Sequence, residues 1–122
     1  MASILLIDDN SAFRFLLRVR LEGAGHQVCE AGNGDEGLRL YRERPADLVL
    51  CDLFMPVKEG LETIREMRQA GAVKIIAMSG GPAGPSGFLR IARKLGADGA
   101  LTKPFDFDTL FTTMQEVLGP PA

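Results

Sequence analysis

Five apolar runs of strand length alternate with five amphipathic segments along this 122-residue chain. In the segments between the runs, apolar residues recur every three or four positions, which is typical of helices that pack through one face. Strands that alternate with helices predict a parallel sheet with right-handed crossovers and with helices on both faces. The predicted strands are Ser3–Ile7, His26–Glu30, Asp47–Cys51, Val73–Met78 and Gly99–Thr102.

The first predicted helix, Phe13–Glu22, follows a candidate N-cap at Asn10 or Ser11 and is stopped by glycine. Four apolar residues at helical spacing predict the face that it buries. They are Phe13, Leu16, Leu17 and Leu21.

The other helices are marked by caps, by apolar periodicity and by the glycines or prolines that end them. They are a helix capped by Asn33, a helix over Gly60–Gln69, a helix over Phe88–Leu95 and a last helix capped by Asp106. The stretch Gly80–Gly87 is rich in glycine and proline and is predicted to be a loop.

The composition fits one globular domain over residues 1–122, with 46% hydrophobic and 25% charged residues. A net charge of -2 without a basic run argues against direct nucleic-acid binding. The sequence shows no leader and no apolar stretch near the ~18 residues of a membrane span, so a cytoplasmic protein without membrane insertion is expected. Cys29 and Cys51 are therefore expected to be reduced and buried.

Polar residues follow four of the predicted strands where each strand ends. These residues are Asp8 and Asp9 after the first strand, Asp52 after the third, Ser79 after the fourth and Lys103 after the fifth. Ligands of open α/β sheets bind at the carboxyl ends of the strands. If the first and third strands are neighbours and the last two follow, these side chains meet at one edge of the sheet.

Three crowded carboxylates repel one another unless a hard cation lies among them, and Mg²⁺ suits carboxylate oxygens and bound water. A cation, a lysine and a hydroxyl around one carboxylate predict a site for a phosphoryl group. The expected chemistry is attack of the carboxylate on phosphorus, which gives an acyl phosphate.

With these motifs in this order, the chain resembles the receiver domains of two-component response regulators from Ile4 to Leu118. The motifs are Asp8-Asp9, Asp52-Leu53-Phe54-Met55-Pro56 followed by Gly60, Ser79-Gly80, and Lys103-Pro104-Phe105. The resemblance implies an α/β, flavodoxin-like (βα)5 fold with a five-stranded parallel sheet of order 2-1-3-4-5.

The resemblance further implies that Asp52 accepts a phosphoryl group from a sensor histidine kinase, a histidine phosphotransfer protein or a small phosphodonor. Asp9, Asp52 and the Phe54 carbonyl would bind Mg²⁺, and Asp8 would act through a bound water. Lys103 and Ser79 would contact the phosphoryl oxygens. Phosphorylation would switch the binding of a downstream protein, and the chain would act on itself rather than turn over external substrates.

The chain departs from the family at Ala100, because receivers usually carry Tyr or Phe three positions before the lysine. Two alternatives stay open. A pseudo-receiver would bind a partner without phosphorylation, and Ala100 favours it slightly. An aspartyl phosphatase would typically carry a second aspartate two residues after Asp52, where this chain has Phe54.

Overall fold

The computed structural model describes residues 2–53, 60–71, 73–79 and 85–119, with the backbone alone for 85–89. Its strands form one parallel sheet of order β2-β1-β3-β4-β5, as predicted. The strands are β1 (Ser3–Ile7), β2 (Gln27–Ala31), β3 (Leu48–Asp52), β4 (Lys74–Ser79) and β5 (Gly99–Thr102). This order places β1 between β2 and β3 in the sheet. The residues that follow β1, β3, β4 and β5 therefore lie side by side at the carboxyl ends of the strands.

Five helices connect and follow the strands in the described part of the chain. They are α1 (Ser11–Gly23), α2 (Gly34–Glu43), α3 (Gly60–Ala70), α4 (Pro85–Leu95) and α5 (Phe107–Leu118). Three of the predicted caps are present. The side chains of Asn10, Asn33 and Asp106 each accept a hydrogen bond from the backbone N–H three residues later, which satisfies a free donor of the helix end.

The core has two layers, one on each face of the sheet. Alternate strand residues such as Leu5 and Val49 pack with α2, α3 and α4, whereas Leu6 and Leu50 pack with α1 and α5. All five residues of β3 are buried. A strand buried on both faces reads as a continuous apolar run, which explains why these strands were identifiable from sequence.

Two helix predictions were wrong in part. Leu16 is 52% exposed and does not share the buried face of α1 with Leu17 and Leu21. The helix α4 begins at Pro85, so Pro85–Gly87 belongs to a helix rather than to the predicted loop. Proline at the first helical position lacks only an N–H that would be unpaired there anyway.

The cysteines are both free, but they differ in burial. Cys51 is fully buried as predicted, whereas Cys29 is only partly buried. The strand β2 lies at the edge of the sheet, and this edge position leaves Cys29 partly accessible. None of the helices in the described part of the chain combines the length and hydrophobicity needed to cross a membrane.

Candidate functional site

Three carboxylates gather where β1 and β3 end, as the sequence pattern predicted. One oxygen from each of Asp8, Asp9 and Asp52 lies within 4.8 Å of the others. Asp8 is 1% exposed and Asp52 is 5% exposed, whereas Asp9 faces solvent. We call Asp8, Asp9 and Asp52 the acidic cluster. Its two buried members are costly to fold without a compensating positive charge.

Lys103 supplies a positive charge to this cluster from the turn after β5. Its Nζ lies 2.6 Å from Asp8 Oδ2 and 3.6 Å from Asp52 Oδ2. The Lys103 backbone N–H donates to the Ser79 carbonyl oxygen at 2.7 Å, which ties the turn to the end of β4. The following peptide bond, to Pro104, is cis. The lysine therefore bridges both buried carboxylates across the sheet edge.

Ser79 is the buried hydroxyl of the site. Its residue is 1% exposed, and its Oγ has no hydrogen-bond partner among the residues that the structure describes. Buried hydroxyls are normally paired, because an unpaired one loses its hydrogen bonds to water and gains none from the protein. Among the described residues, nothing occupies the hydrogen-bonding capacity that this hydroxyl offers to a ligand at the carboxyl end of β4.

The position of Asp8 is fixed by its neighbours. Its Oδ1 accepts from the Asn10 N–H at 2.9 Å, and its backbone carbonyl accepts from Arg14 Nη1 at 2.5 Å. The Arg14 guanidinium also pairs with Glu30 through Nε at 3.0 Å. Burial alone would raise the pKa of Glu30, but hydrogen bonds from Arg18 and Arg14 lower it overall, so Glu30 stays ionised.

An aromatic pair adjoins the lysine, and the sequence reasoning did not assign it to the site. Lys103 Nζ lies 4.3 Å from the centroid of the Phe13 ring. The Phe13 ring in turn meets Phe105 edge to face, with centroids 5.9 Å apart and planes at 84°. A signal was present in the sequence, since both phenylalanines lie close to site residues, but Phe13 was interpreted only as core.

Cys51 adjoins Asp52 in the chain but does not take part in the chemistry. Burial raises the pKa of the Cys51 thiol, and the Asp52 and Asp8 carboxylates raise it further. Its Sγ lies 3.5 Å from the Asp52 carbonyl oxygen, to which the S–H donates. The thiol therefore stays protonated and is neither a nucleophile nor a metal ligand.

One predicted contributor lies outside the described residues. It is Phe54, whose carbonyl was expected to bind the metal. Ala100 is described and lies on β5 opposite Ala77 of β4, partly buried. The described residues thus bring together Asp8, Asp9, Asp52 and Lys103 within a few ångströms of one another, with Ser79 joined to Lys103 through the backbone.

The sequence is similar to one protein family over nearly its whole length. The model of the family described as response regulator receiver domain matches residues 4–115. The chain is 38% identical to the chemotaxis protein CheY of Halobacterium salinarum, over 94% of this chain and 95% of that protein. It is 34% identical to protein PilH of Pseudomonas aeruginosa, over 97% of this chain and 98% of PilH.

Longer relatives match through part of their length. The chain is 36% identical to the KDP operon transcriptional regulatory protein KdpE of Escherichia coli, over 97% of this chain but 52% of KdpE. Among solved structures, chemotaxis protein CheY4 of Vibrio cholerae matches with a TM-score of 0.87 and 30% identity, over 97% of this chain and 99% of that one. A receiver domain protein from Clostridium thermocellum gives a TM-score of 0.89 at 30% identity, over 97% of this chain and 94% of that one.

Proposed function

This chain belongs to the response regulator receiver domain family, and from that membership we propose that it is a switch which accepts a phosphoryl group on Asp52. The donor is a sensor histidine kinase, a histidine phosphotransfer protein or a small phosphodonor. An Asp52 carboxylate oxygen attacks phosphorus, the new O–P bond forms, and the bond from phosphorus to the donor breaks. The leaving nitrogen or oxygen keeps the electron pair of that bond.

The observation that carries this proposal is the position of Lys103 between two buried carboxylates. Its Nζ is 2.6 Å from Asp8 and 3.6 Å from Asp52, so a cationic donor already lies beside the proposed nucleophile. Ser79 adds a buried hydroxyl without a partner in the described part of the chain. Positioning and charge neutralisation are what phosphoryl transfer asks of a protein.

The donor set of the acidic cluster suits a magnesium ion. Its oxygens lie within 4.8 Å of one another, a spacing that one small cation and its bound waters can span. In the proposal, Asp9, Asp52 and the Phe54 carbonyl would hold the ion, and Asp8 would act through a bound water. The bound ion would neutralise the phosphoryl oxygens, while Lys103 and Ser79 hold them in place.

We further propose that phosphorylation changes the binding of a downstream protein and that the chain works in the cytoplasm. The similarity to a chemotaxis protein supports a role in signalling, which is what the proposed change in binding would serve. Ala100 favours one rival, a pseudo-receiver that binds its partner without phosphate, because the aromatic usual at this position is missing.

Intact mass after incubation with Mg²⁺ and acetyl phosphate tests the proposal. We expect one added phosphoryl group on the wild type, no adduct without Mg²⁺ and none on Asp52→Ala. Asp108→Ala, which removes an exposed acid on α5, should be phosphorylated like the wild type. Absence of any adduct at early time points, before hydrolysis can hide it, would favour the pseudo-receiver.

A second measurement does not need a stable phosphoryl group. Mg²⁺ with beryllium fluoride, which resembles an aspartyl phosphate, should raise the free energy of unfolding by about 2.7 kcal/mol at a hundredfold excess over Kd, and the midpoint of thermal unfolding should rise with it. Asp52→Ala should remove this stabilisation. An unchanged midpoint of the wild type at saturating ligand would contradict the site.

A further inference from the structure

Within the described part of the chain, the Lys103 ammonium has three electrostatic partners, and one of them is not a carboxylate. Asp8 Oδ2 and Asp52 Oδ2 lie on the side of the acidic cluster, at 2.6 and 3.6 Å. The Phe13 ring supplies the third partner, with its centroid 4.3 Å from Nζ. The negative face of an aromatic ring attracts a cation at such distances. Phe13 therefore contributes to where the ammonium lies.

The ring is itself held in place. Phe13 lies in the first turn of α1, which begins one residue after the Asn10 cap. The backbone N–H of Phe13 donates to Asn10 Oδ1 at 3.0 Å, and the Phe13 and Phe105 rings meet edge to face with their planes at 84°. Phe105 follows Lys103 by two residues, so the ring that contacts Phe13 and the lysine belong to the same short turn. Because the backbone of Phe13 is hydrogen-bonded and its ring is packed, the ring can in turn hold a cation over its face.

The ring matters most when the carboxylates are occupied. A cation bound to the acidic cluster reduces the charge that now attracts Lys103 and repels its ammonium. The lysine side chain is 21% exposed, so its ammonium could then turn away from the site into solvent. The attraction of the Phe13 ring does not depend on the carboxylates and would persist.

We propose that Phe13 is a positioning residue that keeps Lys103 Nζ at the site when the acidic cluster holds a cation. The effect of Phe13 on the rate of phosphorylation rests on the proposed function, whereas its effect on the position of Lys103 does not. A leucine at position 13 would keep an apolar contact but lose the charged attraction, whereas tyrosine or tryptophan would keep an aromatic face. The inference therefore concerns the ring and not the hydrophobicity of Phe13.

Nuclear magnetic resonance of the lysine side chains tests the position of Lys103 without any phosphoryl transfer. The chain has four lysines, and the spectrum of Lys103→Arg identifies the one at 103. Protons on the carbon next to Nζ should be shifted upfield by the ring, with and without saturating Mg²⁺. We expect Phe13→Leu to abolish this shift, most completely with Mg²⁺, and Phe13→Tyr to retain it.

Phosphorylation by acetyl phosphate tests the consequence. We expect Phe13→Leu to slow the single-turnover rate by about 3- to 10-fold, the range of an interaction of this kind. Phe13→Tyr should restore the rate, while Mg²⁺ affinity changes little in either variant. In a Lys103→Met background, Phe13→Leu should cause no further loss, because the two residues act as one unit.

The two measurements separate the possible failures. A wild type that is never phosphorylated on Asp52 defeats the proposed function, and the lysine spectra then decide the position of Lys103 alone. Lysine spectra that are unchanged in Phe13→Leu overturn the inference. Equal slowing by Phe13→Leu and Phe13→Tyr, or equal slowing in the Lys103→Met background, also overturns it. Thermal midpoints of all variants show whether they are folded.

Discussion

Gly60 lies against the backbone of Asp52 so closely that no side chain fits between them. A Cβ on Gly60 would lie 2.1 Å from the Asp52 carbonyl oxygen and 2.5 Å from the Leu53 Cα. The Gly60 N–H also donates to the Leu53 carbonyl oxygen at 3.1 Å. Because the opposing atoms are backbone, they cannot turn aside as a side chain could. The first residue of α3 thus supports the segment that carries the proposed phosphoacceptor.

Gly60→Ala should therefore both destabilise the protein and disturb the site. We expect a loss of about 1–3 kcal/mol in the free energy of unfolding, the usual cost of overpacking, and slower phosphorylation of Asp52. Urea unfolding and intact mass measure the two effects. Gly23→Ala is the matched control, since a Cβ there meets nothing within 4 Å. It should be neutral or stabilising by up to about 1 kcal/mol, and equal effects of both substitutions would contradict the role of Gly60.

Ser79→Ala should separate folding from phosphoryl transfer. The Ser79 hydroxyl is buried and lacks a partner in the described residues, so its removal should leave stability unchanged or slightly higher. Phosphorylation should slow by about 10- to 100-fold, as for the loss of a hydrogen bond to a charged group.

Thr102→Val is the control for Ser79, because Thr102 pairs with Ser79 across the sheet but is exposed. Its phosphorylation rate should match the wild type. A Ser79→Ala variant that is phosphorylated as fast as the wild type would remove Ser79 from the site. A clear loss of stability would mean that the hydroxyl already has a folding role.

His26 should make stability depend on pH near neutrality. Burial lowers the pKa of His26, and its Nδ1 accepts from the Ala2 N–H at 3.0 Å. As the pH falls through about 6.5, the unfolded chain binds a proton before the folded protein does, so stability falls. The loss is complete once the pH is below the pKa of the folded protein.

Urea unfolding between pH 8 and pH 5 measures this effect, and His26 is the only histidine in the chain. We expect the stability of the wild type to fall more steeply with acid than that of His26→Asn, in which no imidazole remains to be charged. Above about pH 7.5, where the imidazole is neutral in both states, the two curves should run parallel. Parallel curves over the whole range would show that His26 has the same pKa in both states.

Leu16 and Leu17 are adjacent but should respond very differently to truncation. Leu17 is 2% exposed and Leu16 is 52% exposed. We expect Leu17→Ala to cost about 2–5 kcal/mol, as for other buried leucines, and Leu16→Ala to stay within about 0.5 kcal/mol of the wild type. Chemical unfolding of both variants checks this, and similar losses would mean that the outer face of α1 is covered in solution.

The helix α1 also shows why its orientation could not be read from the sequence. Apolar residues occur on both of its sides, with Phe15, Leu16 and Val19 exposed and Leu17 and Leu21 buried. A helix that is apolar on both sides has no single face to predict. The faces of α2 were clear by comparison, because Leu38 and Tyr41 stand among charged residues.

The acidic cluster was predictable and the aromatic contact was not, for a physical reason. In a parallel sheet the carboxyl ends of the strands meet at one edge, so strand order alone brings Asp8 and Asp52 together. Which side chain of α1 meets Lys103 depends on how α1 packs on the sheet. No local pattern encodes this packing, so Phe13 could be predicted only as an apolar residue.

The strand order has a consequence for the time at which the site is completed during synthesis. All three residues of the acidic cluster have been translated once Asp52 is added, but Lys103 is translated about fifty residues later. This interval lasts a few seconds at about 5–20 residues per second. In that order β1, β2 and β3 are available to pair while the lysine is still to come. A nascent chain thus presents its carboxylates before their cation, so a divalent ion should be able to favour early folding. Ribosome-bound chains that end before β5 should therefore resist protease better when Mg²⁺ is raised. If Asp52→Asn chains gain the same resistance from Mg²⁺, the acidic cluster is not its source.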